Sequence, residues 1–391
     1  MKKKKLNITS LFYLDESILN KDFFLVPLFL AKQLNADFNF VYPKNKNNEH
    51  YPLLHRGANL IPIKSESEFN FSLWKERQSI YYILKNAHKI DILFLVWLGP
   101  RSILLSCLYK LLNRRGYCIV KGDMDAKELK PLNSNNLISG IKIIIKNTLM
   151  KSIDLLLCET SESLKVIREG RLGSVLSSRV YQLANCFDEE NRVDLGVAVK
   201  DSIDKENIML IVGRIGADTK NHTMLLQALD RIRMNDWRVI IIGNIADKFK
   251  KEIANFYDNN PDLKDRVSFI GPIYSKEELW EYFSRSKVFL MTSIKEGFPN
   301  VYPEALRFGC YIISTKVSGA FDITDDGNVG KLIEIGDVET LKEFLQGEVF
   351  QNKIDFRSSY LDAIELSKKK FLWSPNIREL VEERFTQRFN F

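Results

Sequence analysis

Residues 208–223 read IMLIVGRIGADTKNHT, and this stretch decides the fold. Its first five residues are apolar and predict a buried strand. The glycines at 213 and 216 predict a turn, and a helical pattern starts at about Thr223. A strand that leads through a glycine-containing turn into a helix is the repeating unit of a doubly wound α/β fold.

Short apolar runs alternate with helical patterns in both halves of the chain. In the first half they predict strands at residues 6–14, 38–42, 92–97, 117–120 and 155–158. In the second half they predict strands at residues 208–212, 239–242, 267–270, 288–291 and 311–314. We therefore expect two doubly wound, Rossmann-like units with parallel sheets.

The length of 391 residues exceeds what one hydrophobic core usually organises. Residues 189–207 are polar and aperiodic, which predicts a linker. We place the first domain at residues 1–200 and the second at residues 201–370.

Composition excludes several classes of protein. A hydrophobic content of 45% with 27% charged residues is typical of a globular protein. No apolar run reaches the ~18 to 20 residues of a membrane span, and the basic N-terminus lacks the apolar core of a signal peptide. Five scattered cysteines without a C-x-x-C pair disfavour a disulfide framework or a zinc site. We expect a cytoplasmic protein.

Charge is unevenly distributed. Residues 1–200 carry 30 Lys and Arg against 20 Asp and Glu, a net +10, whereas the remainder carries 27 against 30, a net −3. Residues 137–151 form a helical pattern with one apolar face and basic residues at 142, 146 and 151, which suits a helix resting on an anionic membrane surface. A core helix with snorkelling lysines explains the same pattern. Nucleic acid is not expected, because no aromatic and basic binding motif occurs.

The loop after the strand at 208–212 carries two cations. Gly213 and Gly216 let the backbone turn, while Arg214 and Lys220 lie close to the start of the next helix. Arginine offers a planar fork to phosphate oxygens and lysine a point charge, so the loop suits a diphosphate. The alternative is a solvated loop with two unrelated basic residues.

The loop after the strand at 288–291 carries two carboxylates. Glu296 lies in the loop, and Glu304 lies in the first turn of a helix that begins near Tyr302 or Pro303. Carboxylates suit sugar hydroxyls, and the backbone amides of 297–301 suit phosphate oxygens. Alternatively, Glu304 is only a favourable charge at a helix start and Glu296 a surface acid.

These residues resemble the donor half of family 4 retaining glycosyltransferases, the glycosyl transferases group 1. The resemblance covers about residues 206–340 and rests on the Glu296-x7-Glu304 spacing together with the upstream Arg214 and Lys220. Further matching positions are Gly213, Gly271-Pro272-Ile273, Ser293, Gly297-Phe298-Pro299-Asn300-Val301, Ala305, Asp322-Ile323 and Gly330.

The resemblance implies a GT-B architecture, in which two Rossmann-like domains face each other across a cleft and a closing helix at 371–391 packs back on the first. It implies that Arg214 and Lys220 bind the diphosphate of a nucleotide sugar and that Glu296 contacts the transferred sugar. Glu304 would bind the ribose and Ile273 the base. The leaving diphosphate would accept the acceptor's proton, so no dedicated protein base is required. Neither a cofactor nor a metal is expected.

The first domain matches the family less well, since the glycine pair after its first strand and the histidine at a strand end are missing. Asp123 and Asp125 invite a metal hypothesis, but no further ligand is spaced nearby, and we prefer acceptor or sugar contact by Asp123 over metal binding. A solvated loop is the remaining alternative. Glu159, directly after a strand, is a further acceptor-side candidate. His222 has no partner in the sequence and is expected to pack at a helix start.

We predict transfer of a sugar to a glycan or lipid-linked acceptor in surface polysaccharide synthesis, peripherally on the membrane. An epimerase acting on sugar nucleotides shares the fold, and a non-catalytic carbohydrate-binding relative could keep the site. An NAD-dependent oxidoreductase is disfavoured, because neither half contains G-x-G-x-x-G.

Overall fold

A computed structural model describes residues 5–63, 72–129, 144–145 and 147–386. The chain forms two compact units, Met1–Ala184 with Trp373–Phe391, and Asn185–Leu372. The chain therefore passes from one unit to the other after Ala184 and again after Leu372, whereas the sequence analysis placed the first boundary near residue 200. Residues 189–207, predicted as a linker, contain a short helix and the start of a strand.

The first unit is built on one eight-stranded sheet in the order β3-β4-β2-β1-β5-β6-β7-β8. Neighbouring strands of this sheet are parallel, except that β3 and β4 are antiparallel. The strands are β1 Asn7–Leu11, β2 Asp37–Pro43, β3 Leu54–His55, β4 Ala58–Ile63, β5 Ile92–Val96, β6 Tyr117–Lys121, β7 Leu155–Cys158 and β8 Val180–Gln182. The five predicted strands are present, and β3, β4 and β8 were missed because they are short or interrupted by Asn59 and Pro62.

Helices of the first unit pack on both faces of this sheet. They are α1 Asp22–Gln33, α2 Ser72–Asn86, α3 Pro100–Leu112, α4 Ser161–Arg168, α5 Ser174–Ser177 and the last helix of the chain, α14 Trp373–Arg384. Residues 22–31 of α1 are all buried, because α1 lies against the sheet and α14. Phe29 and Trp373 stack there, with ring centroids 6.3 Å apart.

The second unit is built on a six-stranded, wholly parallel sheet in the order β11-β10-β9-β12-β13-β14. The strands are β9 Glu206–Val212, β10 Arg238–Ile242, β11 Val267–Gly271, β12 Ser286–Met291, β13 Tyr311–Thr315 and β14 Gly330–Ile333. The prediction of two parallel sheets is confirmed. Strand order reverses between β9 and β12, and ligands of open parallel sheets bind beyond the carboxyl ends of the strands at such a reversal.

The helices of the second unit connect these strands. They are α6 Glu189–Asp194, α7 His222–Leu229, α8 Lys250–Asn259, α9 Lys276–Arg285, α10 Val301–Arg307, α11 Ser318–Ile323, α12 Val338–Phe344 and α13 Phe356–Lys370. Trp237 and Phe350 are fully buried in the core between helices and sheet.

Two findings concern membranes. No helix within the described residues is long and apolar enough to cross a bilayer. The predicted amphipathic helix at 137–151 lies largely outside the described residues, which omit 130–143 and 146. Of its apolar residues, Ile144, Ile145 and Leu149 are described and exposed.

Candidate functional site

The loops after β9 and β12 are tied together at their bases. The amide of Ile294 donates to the carbonyl of Thr219 at 2.9 Å. The Thr292 hydroxyl lies 3.0 Å from the carbonyl of Lys220 and 3.1 Å from that of Asn221. Since β9 and β12 are neighbours in the sheet, these bonds fix the two predicted loops relative to each other.

Lys220 and Glu296 form an ion pair across the two loops. Lys220 Nζ lies 2.6 Å from Glu296 Oε1, and the Ser293 hydroxyl donates to the same oxygen at 3.0 Å. The side chains are 17% and 18% exposed, so both remain accessible to a ligand. An ammonium has three donors and a carboxylate about four acceptor positions, so each group keeps further hydrogen-bonding capacity.

Arg214 lies on the same loop as Lys220. The end of β10 and the loop after it hold the backbone of this loop. The Gly213 amide donates to the Ile242 carbonyl at 2.9 Å, and the Ile215 amide donates to the Asn244 carbonyl at 2.8 Å. A Cβ at Gly243 would lie 1.7 Å from the Gly213 carbonyl, so only glycine permits this approach. Arg214 itself is exposed, and no ion pair joins its guanidinium to an acid of the described chain. The site thus contains one paired and one available cation.

Glu304 is buried in the first turn of α10, as predicted, and only 5% exposed. Its Oε1 accepts a hydrogen bond from Trp280 Nε1 at 3.1 Å and pairs with Lys276 Nζ. Its Oε2 is buried and has no hydrogen-bond partner among the described residues. A buried acceptor without a partner is rare in folded proteins and calls for a structural or functional reason.

Contacts with neighbouring segments hold residues 297–301 in place. Phe298 is buried, its ring stacks on Phe371 with centroids 5.5 Å apart, and its carbonyl accepts from Asn185 Nδ2 at 2.6 Å. The Gly297 carbonyl accepts from the Gly319 amide at 2.9 Å, where a Cβ on Gly319 would lie only 2.5 Å from that carbonyl. The start of α11 therefore packs directly against the loop after β12.

Pro299, Asn300 and Ile273, which are also predicted to bind the donor substrate, lie at the same edge of the sheet. Pro299 and Asn300 are half-buried ahead of α10, and Asn300 makes no side-chain cap. Ile273 is half-buried after the edge strand β11, whose last residue Gly271 has a φ of 89°. Their roles toward a ligand stay predictions.

His222 packs at the start of α7, as the sequence analysis expected. It is buried beside Phe249, with ring centroids 6.0 Å apart, and Nδ1 accepts from the Gly216 amide at 3.4 Å. Burial, with the nearby charge of Lys220, lowers the pKa of His222 to about 4. The imidazole is therefore neutral near pH 7 and supports the loop.

At the carboxyl edge of the first unit's sheet, Glu159 belongs to a buried ion cluster that the sequence analysis missed. Lys121, at the end of β6, places Nζ 2.6 Å from Glu159 Oε1 and 3.2 Å from Asp22 Oδ2. All three side chains are 3% exposed or less. Burial raises the pKa of Glu159 to about 8, although Lys121 opposes the shift. No sequence spacing joins residues 22, 121 and 159; only the sheet order brings them together.

The other acceptor-side candidates have different surroundings. Asp125 caps a short helical turn, because its carboxylate accepts from the Lys127 amide at 3.0 Å. Asp123 is exposed. No three His, Cys, Asp or Glu side chains of the described chain cluster closely enough to hold a metal ion.

Three further residues escaped the sequence analysis. Lys276 and Trp280 hold Glu304, and their spacing of four on a helix is the one signal that could have paired them.

In the first unit, Trp97 has a φ of 61°, which is rare for a bulky residue, and is 45% exposed. Its ring contacts Phe12 and Phe23 edge-on at 5.1 and 5.5 Å.

Comparisons with known proteins agree with this geometry. The family model Glycosyl transferases group 1 matches residues 197–347. The N-acetylgalactosamine-N,N'-diacetylbacillosaminyl-diphospho-undecaprenol 4-alpha-N-acetylgalactosaminyltransferase of Campylobacter jejuni is 25% identical over 246 residues, 60% of this chain and 63% of that enzyme. The capsular polysaccharide biosynthesis glycosyltransferase CapM of Staphylococcus aureus is 27% identical over 139 residues, 34% of each chain.

A solved structure gives the fold over the whole chain. HepE from Anabaena, in complex with UDP, superposes with a TM-score of 0.69 at 16% identity, over 98% of this chain and 100% of that chain. The sequence match to the Campylobacter enzyme spans less than two thirds of that enzyme's length. The superposition confirms the predicted fold class, a GT-B fold with two α/β units. The family-model match and the two curated relatives show that the chain is similar to glycosyltransferases.

Proposed function

We propose that the protein is a family 4 retaining glycosyltransferase that moves a sugar from a nucleoside-diphosphate sugar to a glycan or lipid-linked acceptor. The observation that carries the proposal is the Lys220–Glu296 ion pair, which joins the loops after β9 and β12 at the reversal of strand order. Ligands of parallel sheets bind at this position.

The cations suit the diphosphate. Arg214 is exposed, and Lys220 keeps donors beyond the one it gives to Glu296. Preorganised donors of this kind are worth about 10²- to 10³-fold in turnover, because they stabilise the charge that develops on a leaving group. In the proposed reaction, the bond between the sugar's anomeric carbon and the diphosphate breaks while the acceptor oxygen bonds to that carbon on the same face. The departing phosphate oxygen takes the acceptor's proton, so no protein base is required.

The carboxylates suit the hydroxyls of the donor. Glu296 is partly exposed beside Lys220 and can accept from the transferred sugar, while the buried Oε2 of Glu304 can accept from the ribose. Neither carboxylate suits a phosphate, because like charges repel at short range. The cations lie on one loop and the carboxylates on or after the other. This arrangement matches a nucleotide sugar, which has a charged diphosphate between two groups that carry hydroxyls.

The relatives indicate the substrates. UDP is the nucleotide in the HepE complex, and the Campylobacter relative is named for a diphospho-undecaprenol substrate. We propose a UDP-sugar as donor and a saccharide on a lipid diphosphate as acceptor. The net charge of +10 on residues 1–200 supports peripheral association with an anionic membrane face.

The decisive experiment offers the purified protein a panel of UDP-, GDP- and ADP-sugars with an undecaprenyl-diphosphate-linked acceptor. We expect release of one nucleoside diphosphate and a product that retains the donor's anomeric configuration by NMR. No release with any donor, or a product of inverted configuration, would overturn the proposal. Epimerised donor formed without acceptor would indicate an epimerase instead.

Membrane association is tested by sedimentation with liposomes. We expect binding that rises with the fraction of anionic lipid and falls with salt, because the attraction is electrostatic. Binding that does not depend on anionic lipid would contradict this part of the proposal.

A further inference from the structure

Two exposed aromatic side chains lie at the carboxyl edge of the first unit's sheet. Tyr13 follows the end of β1 by two residues, and Trp97 directly follows β5. These strands are neighbours, and the strand order reverses between them, because β2 and β4 lie on one side of β1 and β5 to β8 on the other. Ligands of open parallel sheets bind at such a reversal.

Tyr13 and Trp97 rest on two buried phenylalanines. The Phe12 ring centroid lies 4.2 Å from that of Tyr13 and 5.1 Å from that of Trp97, and Phe23 lies 5.5 Å from Trp97. Phe12 and Phe23 are 4% and 7% exposed, whereas Tyr13 and Trp97 are each 45% exposed. Both phenylalanines meet the indole at steep angles, 76° and 81°, so neither is stacked parallel to it. Tyr13 and Trp97 therefore form an aromatic platform on an apolar base.

The backbone of Trp97 is strained. Its φ of 61° lies in the left-handed region, which is unfavourable for a bulky residue. Its amide donates to the Lys121 carbonyl at 2.7 Å, and its carbonyl accepts from the buried Ser102 hydroxyl at 2.7 Å. Such strain persists only where the surrounding structure imposes it, and it is concentrated at functional sites. Burial of the ring compensates the strain only in part, because nearly half of the side chain is exposed.

Acceptors for hydrogen bonds lie beside the platform. Asp15 and Glu16 follow Tyr13 by two and three residues and are exposed. Oδ1 of Asp15 accepts from the Ser17 hydroxyl at 2.6 Å and from the Ile18 amide at 3.1 Å, which fixes the carboxylate. A carboxylate has two oxygens, so Asp15 keeps acceptor capacity for a ligand. Aromatic faces beside carboxylates suit a sugar ring better than a hydrocarbon chain, which has no hydroxyls to donate.

We propose that Trp97 and Tyr13 stack on a pyranose ring of the acceptor. One face of a pyranose presents C–H groups, whose partial positive charge is attracted to the negative face of an aromatic ring. The hydroxyls at the rim of the sugar then donate to Asp15 and Glu16. The proposal rests on the proposed function and adds the chemistry by which the acceptor is selected.

The first test measures binding without turnover, by saturation-transfer NMR from the protein's aromatic protons. The probes are the methyl glycosides of glucose, galactose, N-acetylglucosamine and N-acetylgalactosamine, with farnesyl diphosphate as a probe for the lipid part of an acceptor. We expect at least one glycoside to receive saturation on the C–H groups of one face. The signal should fall at least fivefold in Trp97→Ala and stay within twofold of wild type in Trp97→Phe.

Three results would overturn the proposal. They are no signal for any of the four glycosides, an equal signal in wild type and Trp97→Ala, and a Trp97-dependent signal for farnesyl diphosphate alone. The last result would make the platform a lipid site.

The second test measures transfer from the donor of the panel to an undecaprenyl-diphosphate-linked saccharide. We expect Trp97→Ala to raise the KM of the acceptor at least tenfold while the KM of the donor stays within twofold. Trp97→Leu keeps an apolar side chain without an aromatic face and should resemble Trp97→Ala, whereas Trp97→Phe should restore most of the loss. Restoration by leucine as complete as by phenylalanine would overturn the stacking. If wild type transfers no sugar to any acceptor, the proposed function fails, and the NMR experiment still decides the platform.

Two control variants remove aromatic rings elsewhere. Tyr81→Ala removes an exposed ring on α2 of the same unit, and Trp237→Phe replaces a fully buried indole of the second unit. Both should keep the wild-type KM of the acceptor. A tenfold rise in either control as well as in Trp97→Ala would overturn the assignment to the platform.

Discussion

The carboxyl edges of the two sheets use charge in opposite ways. In the first unit, Lys121 is enclosed with Glu159 and Asp22, and none of the three side chains is more than 3% exposed. In the second unit, Lys220 and Glu296 are at the same distance from each other, 2.6 Å, as Lys121 and Glu159, yet remain 17% and 18% exposed. Ion-pair distance therefore does not identify a ligand site. We propose that accessibility and an available neighbouring cation, here Arg214, distinguish the ligand site from the buried cluster.

Removal of the lysine from each pair should separate the two edges most strongly. Lys121→Met leaves the buried acidic side chains of Asp22 and Glu159 without the ammonium that both contact, and breaking a buried pair costs about 3 to 5 kcal/mol of unfolding free energy. Lys220→Met breaks a partly exposed pair, which costs about 1 kcal/mol or less. Urea denaturation of both variants checks this, and equal losses of stability would remove the distinction between the edges.

The effect on turnover should be larger at the second edge, the reverse of the order expected for stability. Lys220→Met removes a cation from the proposed diphosphate site, and we expect turnover to fall by about 10² to 10³ without loss of fold. Arg214→Met should have an effect in the same range. Steady-state rates with the donor identified in the panel check both variants. Full activity in either folded variant would remove that residue from the site.

The pH dependence of stability tests the raised pKa of Glu159 in the buried cluster of the first unit. The pKa of Glu159 is raised from 4.5 to about 8 in the folded protein. Between these values the folded state keeps a proton that the unfolded state has lost, so this group makes the protein less stable as the pH rises. Glu159→Gln lacks this titration. Urea unfolding at pH 5, 6.5 and 8 should show wild type losing stability relative to Glu159→Gln, and a constant difference would contradict the raised pKa.

The smallest of these effects is expected at Glu296, the carboxylate proposed to contact the transferred sugar. Glu296→Gln keeps an acceptor oxygen but loses the charge opposite Lys220, and we expect a fall in turnover of roughly tenfold, or about 1.4 kcal/mol. The Kd of the nucleoside diphosphate alone should change little, because that ligand lacks the sugar. A loss confined to nucleotide binding would place Glu296 on the diphosphate instead.

The two edges also differ in what the sequence could reveal. Arg214, Lys220 and Glu296 lie in loops that directly follow predicted strands, and Glu304 lies in the first turn of the helix after the second loop. Strand positions and local spacing were therefore enough to predict that the two loops are neighbours, and the Lys220–Glu296 ion pair joins them. Lys121, Asp22 and Glu159 come from elements far apart in the chain, and their burial depends on packing that no local pattern encodes. Nothing in the local sequence distinguishes Trp280 from a core residue of an amphipathic helix. Its N–H to Glu304 is visible only once α9 and α10 are placed.

The central claim is that the second edge binds a nucleoside diphosphate through its accessible charges. Its most direct test is calorimetric titration of UDP, GDP and ADP into the wild-type protein, Lys220→Met and the control Trp237→Phe. We predict that wild type and the control bind one nucleotide with the same Kd and that Lys220→Met binds it at least tenfold more weakly. Failure of all three nucleotides to bind wild type, or an unchanged Kd in Lys220→Met, would contradict the claim.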